Sequence, residues 1–245
     1  MLRNIYLTGD THADFKEVET FCLEHGTTAE DVMVILGDVG LNFYGEADDH
    51  WRKHKAAKIP ITFLCIHGNH EKRPEKIRGY RRRDWQGGKV LVQPEFPTLL
   101  FAIDGEVYDC NGKSAVAIGG AYSYDKPYRL ARPDAKGKIY WWDDEQPSVE
   151  VKRRVEDKLA AIEWRVDIVM THTCPGKYIP FESLYNGPGM PDSDSTTELW
   201  LDTIEERLDY GAWYCGHWHI YKSIDKMRFM DAGLDGQKRA FALLG

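Results

Sequence analysis

The chain has 245 residues, 42% hydrophobic and 29% charged, a balance typical of water-exposed globular proteins and a length suited to one domain over 1–245. Its net charge of −7 argues against a general electrostatic grip on nucleic acid or an anionic membrane. No run approaches membrane-spanning length and no apolar leader core opens the chain, so neither insertion nor export is expected and a cytoplasmic location is. Five scattered cysteines (Cys22, Cys65, Cys110, Cys174, Cys215) contain no CxxC pair, which speaks against a disulfide scaffold or a zinc–thiolate site.

Asn4 to Thr8 is a short β-prone run that stops at Gly9. Asp14 with Glu17 three residues on forms a capping box, and Phe15, Val18, Phe21 and Cys22 recur at helical spacing until Gly26. Val32 to Leu36 is continuously apolar, as in a strand buried on both faces. A polar helix over 46–58 and a further buried run, Ile61 to Ile66, complete a strand–helix alternation that predicts βαβ units and a mainly parallel sheet. The middle changes character. Short strand candidates at Val90–Val92, Leu99–Ile103, Val107–Tyr108 and Ser114–Ile118 are punctuated by Gly87-Gly88, Asp104-Gly105 and Asn111-Gly112. The last two pairs predict hairpin turns and antiparallel pairing. A helix over 148–165 leads into a buried strand at Asp167–Met170, and Ser195-Thr196-Thr197-Glu198 is a second capping box opening a helix to about Tyr210. Strands at 212–215, 220–225, 228–231 and 239–244 finish an α/β fold of two sheets packed together with helices outside.

Five short motifs each close one of the apolar runs: Gly9-Asp10-Thr11-His12, Gly37-Asp38, Gly68-Asn69-His70-Glu71, Thr171-His172 and Gly216-His217-Trp218-His219. Ligands of α/β sheets sit beyond the carboxyl ends of strands, so the motifs are expected to meet at one edge of one sheet. His25, His50, His54 and His67 lie outside these metal-ligating candidates. Imidazole and hard oxygen suit Mn²⁺ first, with Fe or Zn²⁺ as alternatives. Two such cations roughly 3.5–4 Å apart can clamp a phosphoryl group and activate water near neutral pH. By position, Asp38 is the carboxylate that would bridge them.

The ordered set GDTH, GD, GNHE, TH and GHWH resembles the calcineurin-like metallophosphoesterase superfamily, with motifs spanning residues 9 to 219. That resemblance implies a four-layer αββα sandwich of two mixed sheets and a dinuclear centre. Carried over motif by motif, Asp10, His12 and His219 would bind one metal and Asn69, His172 and His217 the other, with Asp38 between them. His70 would protonate the leaving oxygen. Phosphoprotein phosphatases of the superfamily carry an arginine soon after the second aspartate, where this chain reads Val39-Gly40-Leu41-Asn42, and they lack the paired GHxH ending. The chain is thus closer to the small bacterial or phage phosphoesterase branch.

The expected reaction is in-line attack on phosphorus by a hydroxide bridging the two metals, with His70 as general acid. The expected partner is a small or nucleotide-like phosphomonoester or phosphodiester. A nuclease acting on DNA or RNA ends, or a scaffold that retains the fold without catalysis, is the alternative. A nuclease is disfavoured by the acidity, and a scaffold by the intact ligand set. Outside the motifs, the basic run from Lys72 to Arg83 reads as a solvated face, Gly119 to Lys126 as a cleft-lining strand end, Trp141-Trp142 as packing, and 180–194 as a rim or lid.

Overall fold

Three β-prone runs form strands β1 (Ile5–Thr8), β2 (Val32–Ile35) and β3 (Thr62–Cys65), and every residue of all three is buried. Helices α1 (Lys16–His25) and α2 (Glu46–Ala56) connect them. Strands joined through a helix pair in parallel, and β1 pairs with β2 and β2 with β3 in that sense. This computed structural model describes residues 4–135, 137–180, 193–230 and 239–244. Among them no helix is long and apolar enough to cross a membrane.

Beyond β3 the chain turns back on itself. Strands β4 (Arg81–Trp85) and β5 (Gly88–Val92) form a hairpin across Gln86 and Gly87, whose φ values of 47° and 80° suit the primed turns that match strand twist. Strand β6 (Leu99–Ala102) runs antiparallel to β5 and parallel to β3. Part of the basic run is therefore an edge strand, which Arg81-Arg82-Arg83 conceals because it offers no apolar alternation. Another part is not solvated at all: Arg73 is buried and its Nη1 donates to Asp104 Oδ2 at 2.7 Å.

The hairpin turn expected at Asp104-Gly105 does not occur. That dipeptide carries the chain out of the first sheet, which holds β6, into the second, which begins with β7 (Val107–Cys110). Asp104 is an anchor there, with Oδ1 accepting the Gly119 N–H at 2.6 Å while Oδ2 holds Arg73. Asn111-Gly112 does turn a hairpin, between β7 and β8 (Lys113–Ile118). The second sheet is completed by β9 (Arg165–Thr171), β10 (Asp209–Cys215), β11 (Tyr221–Ile224) and β12 (Met227–Met230), in the order β11-β12-β10-β9-β8-β7. A short β13 (Ala242–Leu243) closes the first sheet, ordered β13-β1-β2-β3-β6-β5-β4. Helices α3 (Lys126–Ala131), α4 (Val149–Ala161) and α5 (Thr196–Glu205) lie in the second half.

Side-chain alternation sets the layering. Ile5, Leu7, Val34 and Leu64 of the first sheet meet Tyr108, Ala117, Ile168 and Met170 of the second. The opposite face of the first sheet packs Met33 and Phe63 against Val18 and Phe21 of α1 and Ala56 of α2. Val169, Trp213 and Phe229 of the second sheet pack on Val155 and Leu159 of α4 and on Trp200, Leu201 and Ile204 of α5. The result is the expected αββα sandwich, with all five cysteines buried and unpaired.

Neither capping box forms. The α1 N-cap is Phe15 without a side-chain bond, and Glu17 instead accepts the Arg239 backbone N–H at 3.0 Å. At α5, Asp194 rather than Ser195 takes the Thr196 N–H, at 2.9 Å. Glu198 turns inward, is fully buried, and accepts from Thr173 Oγ1 at 2.8 Å. Tertiary partners displaced the local ones in both cases.

Burial pushes the Glu198 carboxyl up to about 7, opposed by the Thr173 hydroxyl. A folded value above the unfolded one favours the fold at low pH, and the advantage disappears as pH rises through about 7. Thermal unfolding from about pH 4 to about pH 9 is expected to show the wild type losing roughly 1.4 kcal/mol per pH unit relative to Glu198→Gln between the ordinary carboxyl value of 4.5 and about 7, with no further loss above it. Parallel curves for the two proteins would refute this.

Candidate metal centre

The five motifs converge, but not on one sheet. Asp10 and His12 follow β1, Asp38 follows β2, and Asn69 and His70 follow β3, all from the first sheet. His172 ends β9, and His217 and His219 follow β10, both in the second sheet. The edge where the two sheets meet is stitched by the Gly9 N–H to Met230 O at 2.9 Å and by the His172 Nδ1 to Leu36 O at 2.8 Å. The single-sheet expectation fails because strand order cannot be read from a chain whose crossover lies in an ordinary Asp-Gly turn.

The backbone is held in uncommon geometry here. His12, Asp38, His217 and His219 have φ of 46°, 49°, 68° and 49°, a region non-glycine residues enter at a cost of about 1–3 kcal/mol. Such strain persists only where the surroundings over-determine it, and here it re-aims each side chain at the strand end. Two glycines make the approach feasible. A Cβ on Gly37, itself at φ 95°, would lie 2.0 Å from His172 Nδ1, and one on Gly68 would lie 2.0 Å from Asp38 Oδ1.

Asp10 and Asp38 are each 1% exposed. Asp10 accepts the His217 backbone N–H at 3.0 and 3.1 Å, and its oxygens lie 3.8 Å from His219 Nε2 and from His172 Nδ1. Asp38 presents Oδ2 to His12 Nε2 at 3.9 Å and Oδ1 to His172 Nε2 at 3.5 Å, and accepts the His70 backbone N–H at 2.7 Å. The His12 and His219 rings stack at 5.5 Å, and those of His172 and His217 meet edge-on at 4.8 Å. Among the described residues three overlapping sets could hold a cation: Asp10, His12 and His219; His12, Asp38 and His70; Asp10, Asp38 and His172, with ligand atoms in each set within 4.8 Å of one another.

Electron-pair geometry fits metals better than it fits hydrogen bonds. With Nδ1–H donated to Leu36 O, the lone pair of His172 Nε2 faces Asn69 Oδ1 at 2.7 Å and Asp38 Oδ1 at 3.5 Å. Three acceptors pointing at one another repel unless a cation lies among them. His217 Nε2 is likewise buried without a hydrogen-bond partner. Two buried carboxylates among imidazoles carry a desolvation cost of several kcal/mol per ion, which needs a compensating charge.

Protonation follows the same logic. Burial raises the Asp38 carboxyl, but the imidazoles of His172, His70 and His12, together with the His70 N–H, outweigh it and hold Asp38 well below the usual carboxylate range. Burial drives His217 well down, leaving a neutral imidazole with a lone pair to offer. His70 is pushed down to about 4, first by burial and then by Arg129 and His12, against the pull of Asp38 and Asp125. Glu71 is pushed up to about 8 by burial and by Asp38. Its carboxyl takes the Gly68 N–H at 3.0 Å, so it braces the turn that carries Asn69 and His70.

Several neighbours were invisible to motif reading. Asn69 Nδ2 donates to Ser123 Oγ at 3.0 Å, and Ser123 Oγ bonds the carboxylate of buried Glu145. Because the Ser123 proton goes to Glu145, its oxygen accepts the Asn69 amide and fixes Asn69 Oδ1 toward the centre. Tyr124 stacks on His217 at 5.5 Å, as the Gly119–Lys126 reading anticipates. Phe43 stacks with His70 at 6.1 Å and Tyr140 at 5.1 Å, and meets Trp142 edge-on at 5.5 Å, so Trp142 belongs to the rim of the site. Arg129 of α3 lies against His70 Nε2. Nothing in the spacing of Glu145 or Arg129 marks them out; only folding joins them to the motifs. Most of the 180–194 segment lies outside the described residues.

The sequence profile of the calcineurin-like phosphoesterase family matches residues 3–221, and the chain belongs to that family. It is a phosphoester hydrolase, and the Asp/His clusters fit the metal dependence of such enzymes. One solved structure, covered over 99% of its length by 100% of this chain, superposes with a TM-score of 0.50 at 11% identity and supports the fold. The protein TT1561 of Thermus thermophilus is similar at 13% identity and TM-score 0.44, with 89% of this chain and 82% of that one aligned. A phosphopantetheinyl hydrolase of Mycobacterium tuberculosis is similar at 13% identity and TM-score 0.42, with 98% and 95% aligned. No curated protein matches the chain in sequence.

Proposed function

We propose that the protein hydrolyses small or nucleotide-like phosphomonoesters or phosphodiesters at a two-metal centre. The supporting observation is the split orientation of Asp38, with one carboxylate oxygen toward His12 and the other toward His172. On this reading Asp10, His12 and His219 would hold one divalent cation and Asn69, His172 and His217 the other, with Asp38 as the carboxylate shared by both. When bound, the cations would neutralise charge on the phosphoryl oxygens and lower the pKa of an attacking water. Mn²⁺ is the metal to test first, with Fe and Zn²⁺ as alternatives.

The protein's own part is orientation and proton transfer. Ser123 and Glu145 lock the Asn69 amide, and the Asp10 carboxylate is fixed by the His217 N–H. His70, half-buried at the rim, faces the leaving oxygen. Its imidazole is neutral in the free protein, and a phosphate anion beside it would favour the protonated form that a general acid requires. The aromatic wall of Phe43, Tyr140 and Trp142 beside His70 suits a planar leaving group such as a nucleoside.

The test is Mn²⁺-dependent hydrolysis of bis-p-nitrophenyl phosphate beside p-nitrophenyl phosphate. Turnover that vanishes on chelation and returns with Mn²⁺ is the expected result, and the ratio of the two rates assigns diester or monoester preference. Turnover indifferent to chelation would sink the proposal.

A further inference from the structure

The stretch after Asp38 lacks an arginine, and the fold brings one beside Asn69 and His70 from elsewhere. Arg129 sits on α3, in the connection leaving β8, and is only 8% exposed. Its Nε donates to Asp125 Oδ2 at 2.8 Å, which fixes the plane of the guanidinium. The two terminal nitrogens then face inward, and the contacts of Nη1 are long. Nη1 lies 3.4 Å from Asn69 O and 3.5 Å from Tyr140 O, at the outer limit for hydrogen bonds, while Nη2 lies against His70 Nε2. A buried guanidinium with a well-paired Nε, a weakly engaged Nη1 and an Nη2 resting on an imidazole can take an anionic partner on its fork. Its five donors match two oxygens of a phosphate bidentately, which no lysine can reproduce.

We infer that Arg129 is the phosphate-binding residue of this enzyme, holding the non-bridging oxygens of the substrate. The inference rests on the phosphoester hydrolase reading proposed above. Nη1 lies near Asn69 O and Nη2 against His70 Nε2, so a phosphoryl group beside these two residues is within reach of the fork. Asp125, half exposed, orients the fork and sets how much of its charge the phosphate experiences. The proximity to His70 follows as well: the fork rests on the imidazole until a phosphate takes it.

The experiment uses the Mn²⁺-loaded protein and two readouts, kcat and KM on bis-p-nitrophenyl phosphate, and calorimetric affinity for inorganic phosphate. Arg129→Ala is expected to weaken phosphate binding by at least about tenfold and to lower kcat/KM by about 10²-fold, with guanidinium ion in the buffer restoring part of both. Asp125→Asn keeps an acceptor for Nε and removes only the carboxylate charge that competes for the guanidinium, so phosphate should bind as tightly as in the wild type or tighter. A purely structural arginine gives the opposite pattern: no guanidinium rescue, and equal damage from Asp125→Asn. That pattern, or wild-type phosphate affinity in Arg129→Ala, overturns the inference. Absence of turnover in the wild type itself would instead count against the hydrolase reading, since phosphate binding is measured separately.

Discussion

Asp38→Asn is expected to lower kcat/KM on phosphoesters by roughly a thousandfold or more, the equivalent of about 4 kcal/mol of transition-state charge stabilisation. The substitution keeps the shape of the side chain and removes its charge. The His70 backbone N–H, 2.7 Å from Oδ1, keeps an acceptor if the amide oxygen occupies that position. What disappears is the anion facing both His12 and His172, and with it the charge that would compensate the two cations proposed above. Steady-state kinetics with Mn²⁺ alongside the melting temperature separates this from unfolding. Because the fold favours the charged form of Asp38, the variant is expected to melt lower than the metal-free wild type, and the two activities are compared well below both transitions. Retention of more than a tenth of wild-type activity would show that Asp38 does not span the centre.

His70→Ala should act differently on different leaving groups. General acid catalysis contributes about 10²–10⁴-fold where the leaving oxygen needs a proton, and little where it departs as a stable anion. Alkyl esters are therefore expected to slow by about 10²-fold or more, and p-nitrophenyl esters by less than about tenfold. The His70 imidazole lies 4.0 Å from Asp38 Oδ2 and stacks beside Phe43, but it belongs to neither proposed ligand set, so metal content should be unchanged. Equal slowing of both ester classes would remove the acid role and leave His70 as a positioning group.

How much of this was legible beforehand depended on the range of the interactions. The runs Val32–Leu36 and Ile61–Ile66 announced strands buried on both faces because such strands need no alternation. The motifs announced their own convergence because each follows a strand. Asp104-Gly105 misled because hairpin chemistry and a sheet-to-sheet crossover use the same dipeptide, and only the distant partners Arg73 and Gly119 decide between them. The basic edge strand Arg81–Trp85 carried no hydrophobic signal. Both capping boxes failed where Glu17 and Glu198 found long-range partners, Arg239 and Thr173. At the site, which residues converge could be read from motifs. The left-handed backbone of His12, Asp38, His217 and His219, the Glu145–Ser123–Asn69 chain and Arg129 could not, since each depends on segments far apart in sequence.

Metal stoichiometry tests the central claim most directly. Elemental analysis of Mn²⁺-reconstituted protein is expected to find two equivalents per chain in the wild type and about one in His217→Ala, whose Nε2 is buried without a hydrogen-bond partner. A single equivalent in the wild type, or two retained in His217→Ala, would contradict a two-metal centre built from these residues.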